Sequence, residues 1–214
     1  MNDFPRWTNR LRVILGLVGA VAGVWIVSLF AYGASPRTLN AGYAPVQPIP
    51  FSHALHAGEL GLDCRYCHTT VESTARAAIP SLETCMNCHQ RIRTESEALA
   101  PLRTSVVEGT PLLWRRVHDL PDYVYFDHSA HVTRGVACVT CHGRIDTMER
   151  VRQEQPLSMG WCLECHRDPT PNLRPRDQVT LMEWRPDRPP AEIGAEIAQK
   201  NHIRPSTDCS TCHR

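Results

Sequence analysis

Ten cysteines and eleven histidines in 214 residues are the side chains best able to do chemistry here, and their spacing is regular. Cys64-Arg-Tyr-Cys67-His68, Cys85-Met-Asn-Cys88-His89, Cys138-Val-Thr-Cys141-His142, Cys162-Leu-Glu-Cys165-His166 and Cys209-Ser-Thr-Cys212-His213 consume every cysteine. Cys-x-x-Cys-His is the attachment signature of c-type haem. Its two thiols add across the vinyl groups of the porphyrin, and the adjacent histidine becomes the proximal ligand of the iron. Disulfides, a redox Cys-x-x-Cys and paired zinc sites also use cysteine pairs. None of them needs a histidine directly after every second cysteine, five times in five. The expected cofactors are five c-type haems, with His68, His89, His142, His166 and His213 as proximal ligands.

Six histidines then remain for five open axial positions: His53, His56, His118, His128, His131 and His202. His53 and His56 are three apart, and so are His128 and His131; in a helical turn each pair lies on one face. One iron cannot use both members, so each pair is expected to serve two neighbouring haems and hold them close together. His118, in Val117-His-Asp, is expected as the fifth distal ligand from the count. The weaker distal candidates are His202, seven residues before Cys209, and Met159, whose thioether would raise the haem potential relative to a second imidazole. Met159 as a packing residue against a macrocycle is the competing reading.

These residues sit in a repeating frame. Phe51-Ser-His-Ala-Leu-His and Phe126-Asp-His-Ser-Ala-His open two stretches, 51–89 and 126–166, each carrying two attachment units, and the pattern reads as an internal duplication. Residues 167–205 are rich in proline and arginine with few large apolar side chains. That stretch is expected to be disordered or, more plausibly, laid over a partner's surface, with one short helix near 191–201. A C-terminal unit, 206–214, closes the haem domain, which as a whole spans 51–214.

Ahead of it, Val13 to Ala34 runs for 22 residues without a charge, long enough as a helix to cross a bilayer. Arg6, Arg10 and Arg12 precede it, so residues 1–12 are expected in the cytoplasm and the remainder outside, the side on which c-type haem is attached. A cleaved signal peptide would have a shorter apolar region and a better cleavage site than Ala31-Tyr-Gly-Ala34. The reading is a single-pass anchor at 13–34 in a bacterial cytoplasmic membrane. A proline-rich extended tether at 35–50 follows it, leading to a periplasmic haem domain.

With 23 basic and 22 acidic residues, the chain has no basic surplus to suggest nucleic acid. Five haems share roughly 180 residues beyond the anchor, too few to wrap each in an ordinary apolar core. The fold is therefore expected to be mainly α and irregular, cored by haem, with short helices at the attachment units. Arg65, Arg115, Arg116 and Arg167 are candidates to pair with haem propionates or to be solvated.

Phe51 to His56, Leu62 to Val71, Ile79 to His89, Val117 to His128 and Pro156-Leu-Ser-Met-Gly-Trp-Cys-Leu-Glu-Cys-His-Arg167 together resemble the pentahaem cytochrome subunit of bacterial alternative complex III, a class III-like multihaem cytochrome c. That resemblance implies an electron-transfer subunit of a membrane quinol oxidoreductase, with no catalysis of its own. Its expected partners are a polytopic quinol-oxidising subunit, an iron–sulfur subunit and a monohaem cytochrome. Electrons would leave to a soluble periplasmic acceptor, a cytochrome c or blue copper protein, or to a terminal oxidase, in a respiratory or photosynthetic chain. The alternative is a stand-alone membrane-anchored multihaem quinol dehydrogenase. A haem enzyme of the nitrite-reductase kind needs an open iron, often with lysine as proximal ligand, and the one lysine here is Lys200.

Overall fold

The computed structural model describes residues 5, 7–35 and 39–213. Asp3, Arg6, Pro36 and Arg214, parts of the expected tail, tether and C-terminal unit, lie outside them. The first helix, α1, spans Thr8–Gly33, has a window of mean hydropathy 2.5 and buries none of its residues. It is long and apolar enough to cross a membrane. It begins five residues before the uncharged run, because the backbone stays helical through Arg10 and Arg12, whose long side chains can reach a polar boundary from within a helix.

The expected tether is fastened to the domain through its described residues. Gln153, 2 % exposed, donates from Nε2 to Leu39 O at 2.7 Å, and its own O and N exchange backbone hydrogen bonds with Gly42 and Tyr43. Gln47 makes a second fastening through two bonds to the backbone of Arg115. Buried Ile49 ends this stretch on the apolar side.

Beyond it, every attachment unit lies on a short helix: α2 at Cys64–Cys67, α3 at Leu82–His89, α6 at Cys138–His142, α7 at Met159–Arg167 and α9 at Cys209–Cys212. Between them lie α4 (Ala100–Glu108), α5 (His128–Val132) and α8 (Pro190–Lys200). Helices this short do not persist on propensity alone. Capping starts several of them: Asp63 accepts from Arg65 N, Asp127 from Ala130 N and Ser158 from Trp161 N, each satisfying an amide that the helix leaves unpaired. Among the described residues there is no strand, only isolated bridges between Val124 and His213 and between Val136 and Leu173. The apolar core is thin, made of Ile49, Leu102, Val132, Ala137, Met148, Leu173 and Val179.

Two of those seven belong to the proline-rich stretch, which is ordered on this chain rather than disordered. It straps this chain's own domain. Leu173 and Val179 are each 1 % exposed, Arg174 N donates to Gly135 O, and Cys138 N donates to Val179 O. Few large apolar residues suffice because backbone pairing and two buried anchors replace a core. Gly135, at φ 92°, lets the strap's Arg174 carbonyl approach where a Cβ would collide with it.

The helix expected near 191–201 is α8, and its buried Gly194 lies against the Thr170 carbonyl, a position a Cβ would overlap. Gly194→Val is expected to lower holoprotein stability by about 1–3 kcal/mol in urea unfolding, as overpacking does. Gly160→Ala, with open space around it, should leave the midpoint essentially unchanged.

Candidate haem sites

The two His-x-x-His stretches fold as helical turns. His53 caps a π-helical turn, Ala54–Glu59, while His128 and His131 lie on α5. The surroundings repeat closely. Phe51 meets His53 edge-on at 4.9 Å and 85° and stacks on His56 at 4.3 Å; Phe126 meets His128 at 4.8 Å and 85° and stacks on His131 at 4.5 Å. These phenylalanines are functional residues that the ligand count passed over. Their recurrence at the first position of both stretches was the available signal.

Three of the five attachment-unit histidines face a second imidazole. Ring centres of His56 and His89 are 6.2 Å apart, those of His131 and His166 are 6.1 Å apart, and those of His128 and His142 are 6.4 Å apart. Two imidazoles on opposite faces of one iron, each bonded at a metal–nitrogen length of about 2.0–2.1 Å, bring their ring centres to roughly 6 Å of each other. The three separations fit that requirement. Among the described residues no three His, Cys, Asp or Glu groups converge as a bare ion would need; the histidines meet two by two.

Which nitrogen is presented is also decided. His56 Nδ1 is 2.8 Å from Ser52 O, His131 Nδ1 is 2.7 Å from Asp127 O, and His128 Nδ1 is 2.9 Å from Ala75 O. On the proximal side, His68 Nδ1 is 2.7 Å from Ala78 O, His89 Nδ1 3.2 Å from Ile92 O, His166 Nδ1 2.7 Å from Ser206 O and His213 Nδ1 3.1 Å from Tyr123 O. A carbonyl can only accept, so Nδ1 carries the proton and Nε2 keeps a lone pair for metal. The ten thiols form no disulfide.

Burial lowers the pKa of His53 to about 4, with the neighbouring His68 and His56 adding to the effect, and that of His142 to about 3, with His118 and His128 adding. Burial likewise lowers His118 and His131. These rings are neutral at physiological pH, the form that binds metal.

The remaining candidates are placed differently. His53 is half-buried near His68, with its Nδ1 buried and unpaired among the described residues. His118 packs edge-on against His142 at 4.4 Å, its Nε2 3.3 Å from His142 Nδ1, so it lies behind that ring rather than opposite its iron-facing nitrogen. His202 is exposed at a left-handed φ of 51°, and Met159 is 66 % exposed at the start of α7. Met148 is in the core at 2 % exposure. Tyr123 is the ring against His213, at 5.8 Å. Of the arginines considered for propionates, Arg65 forms an ion pair with Asp63 at 2.9 Å and Arg116 with Asp119 at 2.6 Å.

Asp63 starts the first attachment helix and binds across to Thr180 of the strap at 2.9 Å. The Arg65 side chain holds its carboxyl near 2, below the ordinary 3.8, over the opposing effect of burial, with further hydrogen bonds from Arg65 N and Thr180. Because the folded pKa is depressed, this stabilisation is complete above the unfolded value and lost as pH falls from about 4 toward about 2. Asp63→Ala should cost about 1 kcal/mol at neutral pH, the scale of a lost N-cap. Urea midpoints taken across pH should show the gap between the two proteins closing on acidification.

Comparison with known proteins agrees with this geometry. The family described as cytochrome c7 and related cytochrome c matches residues 124–214, and the class III cytochrome c family matches residues 32–104. The multihaem cytochrome c subunit of menaquinone reductase from Nitratidesulfovibrio vulgaris (strain Hildenborough) is 27 % identical over 206 residues, spanning 90 % of this chain and 87 % of that protein. Attachment units on short helices, imidazoles facing at ligation distance and these matches lead to one assignment: the fold is that of a class III and c7-type multihaem cytochrome c, families whose haem iron is covalently bound.

Proposed function

We propose that this chain is the electron-transfer subunit of a membrane quinol oxidoreductase related to alternative complex III, carrying five c-type haems on the periplasmic side of a bacterial membrane with α1 as a retained, N-in anchor. The observation that carries the reading is the set of histidine pairs facing at 6.1–6.4 Å beside the attachment units. Haem iron supplies one chemistry there: it takes up and gives back a single electron. An iron held by one of these facing pairs would have no open site for bond chemistry.

The chain's own residues do the rest. The cysteines fix each macrocycle, and His89 with His56, His142 with His128 and His166 with His131 clamp three of the irons. His53 pairs with His68 by the same layout. Carbonyl acceptors at Nδ1 of His56, His89, His128, His131 and His166 hold those rings' tautomer and orientation and raise their basicity, which would lower the potential of the iron each serves. The two similar stretches, 51–89 and 126–166, are read as duplicated modules. That the relative is a subunit of a menaquinone reductase supports a place for this chain in a quinone-linked complex; the partners proposed, from the resemblance to alternative complex III, are a polytopic quinone-reactive subunit and iron–sulfur and monohaem subunits.

Gentle detergent extraction of the native membrane, identification of co-purifying subunits and a quinol oxidation assay test the reading. Recovery with a polytopic and an iron–sulfur subunit, active only as the assembly, is the expected result. Purification alone with intrinsic quinol oxidation would place the quinol site on this chain and overturn it.

A further inference from the structure

The attachment units are not neighbours in the order in which they occur along the chain. The Cys64 unit touches the Cys85 unit, where Asn87 Nδ2 donates to Tyr66 Oη at 3.1 Å. On its other side the Cys64 unit meets the Cys138 unit. Asp63 accepts from Thr180 at 2.9 Å, and the adjacent Val179 carbonyl accepts from Cys138 N at 3.1 Å. His128, which faces His142, is anchored on Ala75 of the first module.

The Cys138 and Cys162 units are joined by α5, whose His128 faces His142 and whose His131 faces His166. Last, His166 Nδ1 donates to Ser206 O at 2.7 Å, just before the Cys209 unit.

We propose that the five units form a single file in the spatial order Cys85, Cys64, Cys138, Cys162, Cys209, and that the Cys85/Cys88 and Cys209/Cys212 units are the two ports through which electrons enter and leave. An independent observation marks the same ends. Of the ten cysteines, Cys88 and Cys209 are the two that are exposed. The first unit in sequence thus becomes the second in the file, and it joins the Cys85 unit to everything else. Each hop oxidises one iron from ferrous to ferric and reduces its neighbour from ferric to ferrous, with no proton or atom transferred. A one-electron metal-centre reductant of a partner subunit supplies one port, and a one-electron metal-centre oxidant drains the other.

The proposal rests on the electron-transfer reading above, and haem counting separates the two. If mass spectrometry of the purified protein finds no covalent haem, that reading fails as well; if haem is present at the units, only the order is at stake. The deciding measurement is an experimental structure of the detergent-extracted holoprotein. The shortest iron–iron separations should run Cys85 to Cys64, Cys64 to Cys138, Cys138 to Cys162 and Cys162 to Cys209. A Cys85 unit adjacent to any other iron, or a Cys64 unit at an end, overturns the order.

Electron paramagnetic resonance gives a solution readout. The signal lost in Cys85→Ser/Cys88→Ser identifies that haem. In Cys64→Ser/Cys67→Ser it should sharpen as its sole magnetic neighbour disappears, and in Cys209→Ser/Cys212→Ser it should stay unchanged. A change on removing the Cys209 haem, with none on removing the Cys64 haem, rejects the file.

Discussion

Replacing His131 with alanine should convert one six-coordinate iron into a ligand-accepting one, so that the reduced protein takes up about one more equivalent of carbon monoxide per chain than the wild type. The expectation follows from the ring of His131 facing His166 at 6.1 Å with its Nδ1 committed to Asp127 O at 2.7 Å. No other described imidazole faces His166 at ligation distance, so an alanine leaves that position to water or an added ligand. The same variant should raise that haem's potential, because an electron-donating imidazole is lost.

His56→Ala is the matched experiment at His89, where the separation is 6.2 Å. Its outcome should copy that of His131→Ala, since Phe51 and Phe126 stack on the two rings at 4.3 and 4.5 Å. Carbon monoxide difference spectra and a potentiometric titration of the holoproteins check both. A His131 variant that stays wholly low-spin and inert to carbon monoxide would show that this ring is not a ligand.

His118→Ala should do something different: shift a potential without opening an iron. The other attachment histidines lean on main-chain carbonyls, of Ala78, Ile92, Ser206 and Tyr123, whereas His142 Nδ1 meets the side chain of His118 at 3.3 Å. His118 Nε2 is then the acceptor, and the Nδ1–H of buried His142 is the donor. Removing the acceptor strands that N–H and withdraws electron density that the hydrogen bond had pushed toward the iron.

A hydrogen bond worth about 1 kcal/mol corresponds to on the order of 40 mV for one electron, so one potential should rise by about that much. His118→Gln, which restores an accepting carbonyl, should recover most of it. A new carbon monoxide-binding iron in His118→Ala would instead make His118 a distal ligand, as the count of histidines suggested. The two outcomes are spectroscopically separate.

Arginines illustrate why spacing alone was a poor guide to secondary contacts. Arg65 and Arg116 stand close to haem units or ligand candidates in sequence, but each has a carboxylate within three residues, Asp63 and Asp119. A local ion pair costs little ordering entropy, and these side chains take it. The proline-rich strap misled for a related reason. Its composition lacks the apolar content of an independent core, yet Leu173, Val179 and the backbone of Arg174 need only one groove, which Gly135 opens.

The sequence by itself determined the chemistry. A covalent attachment motif is local, so Cys-x-x-Cys-His names the cofactor, the proximal ligand and the short helix together, and an uncharged run of 22 residues is a local property as well. The three-residue step within His53-x-x-His56 and His128-x-x-His131 likewise placed both rings on one turn. Only the tertiary structure decided which histidine faces which, that His118 turns to the back of His142, and that the Cys64 unit lies between those of Cys85 and Cys138. Those relations depend on long-range closures such as Thr180 to Asp63 and His128 to Ala75, made by backbone carbonyls and single hydroxyls that any residue sequence can supply and that therefore leave no signature along the chain.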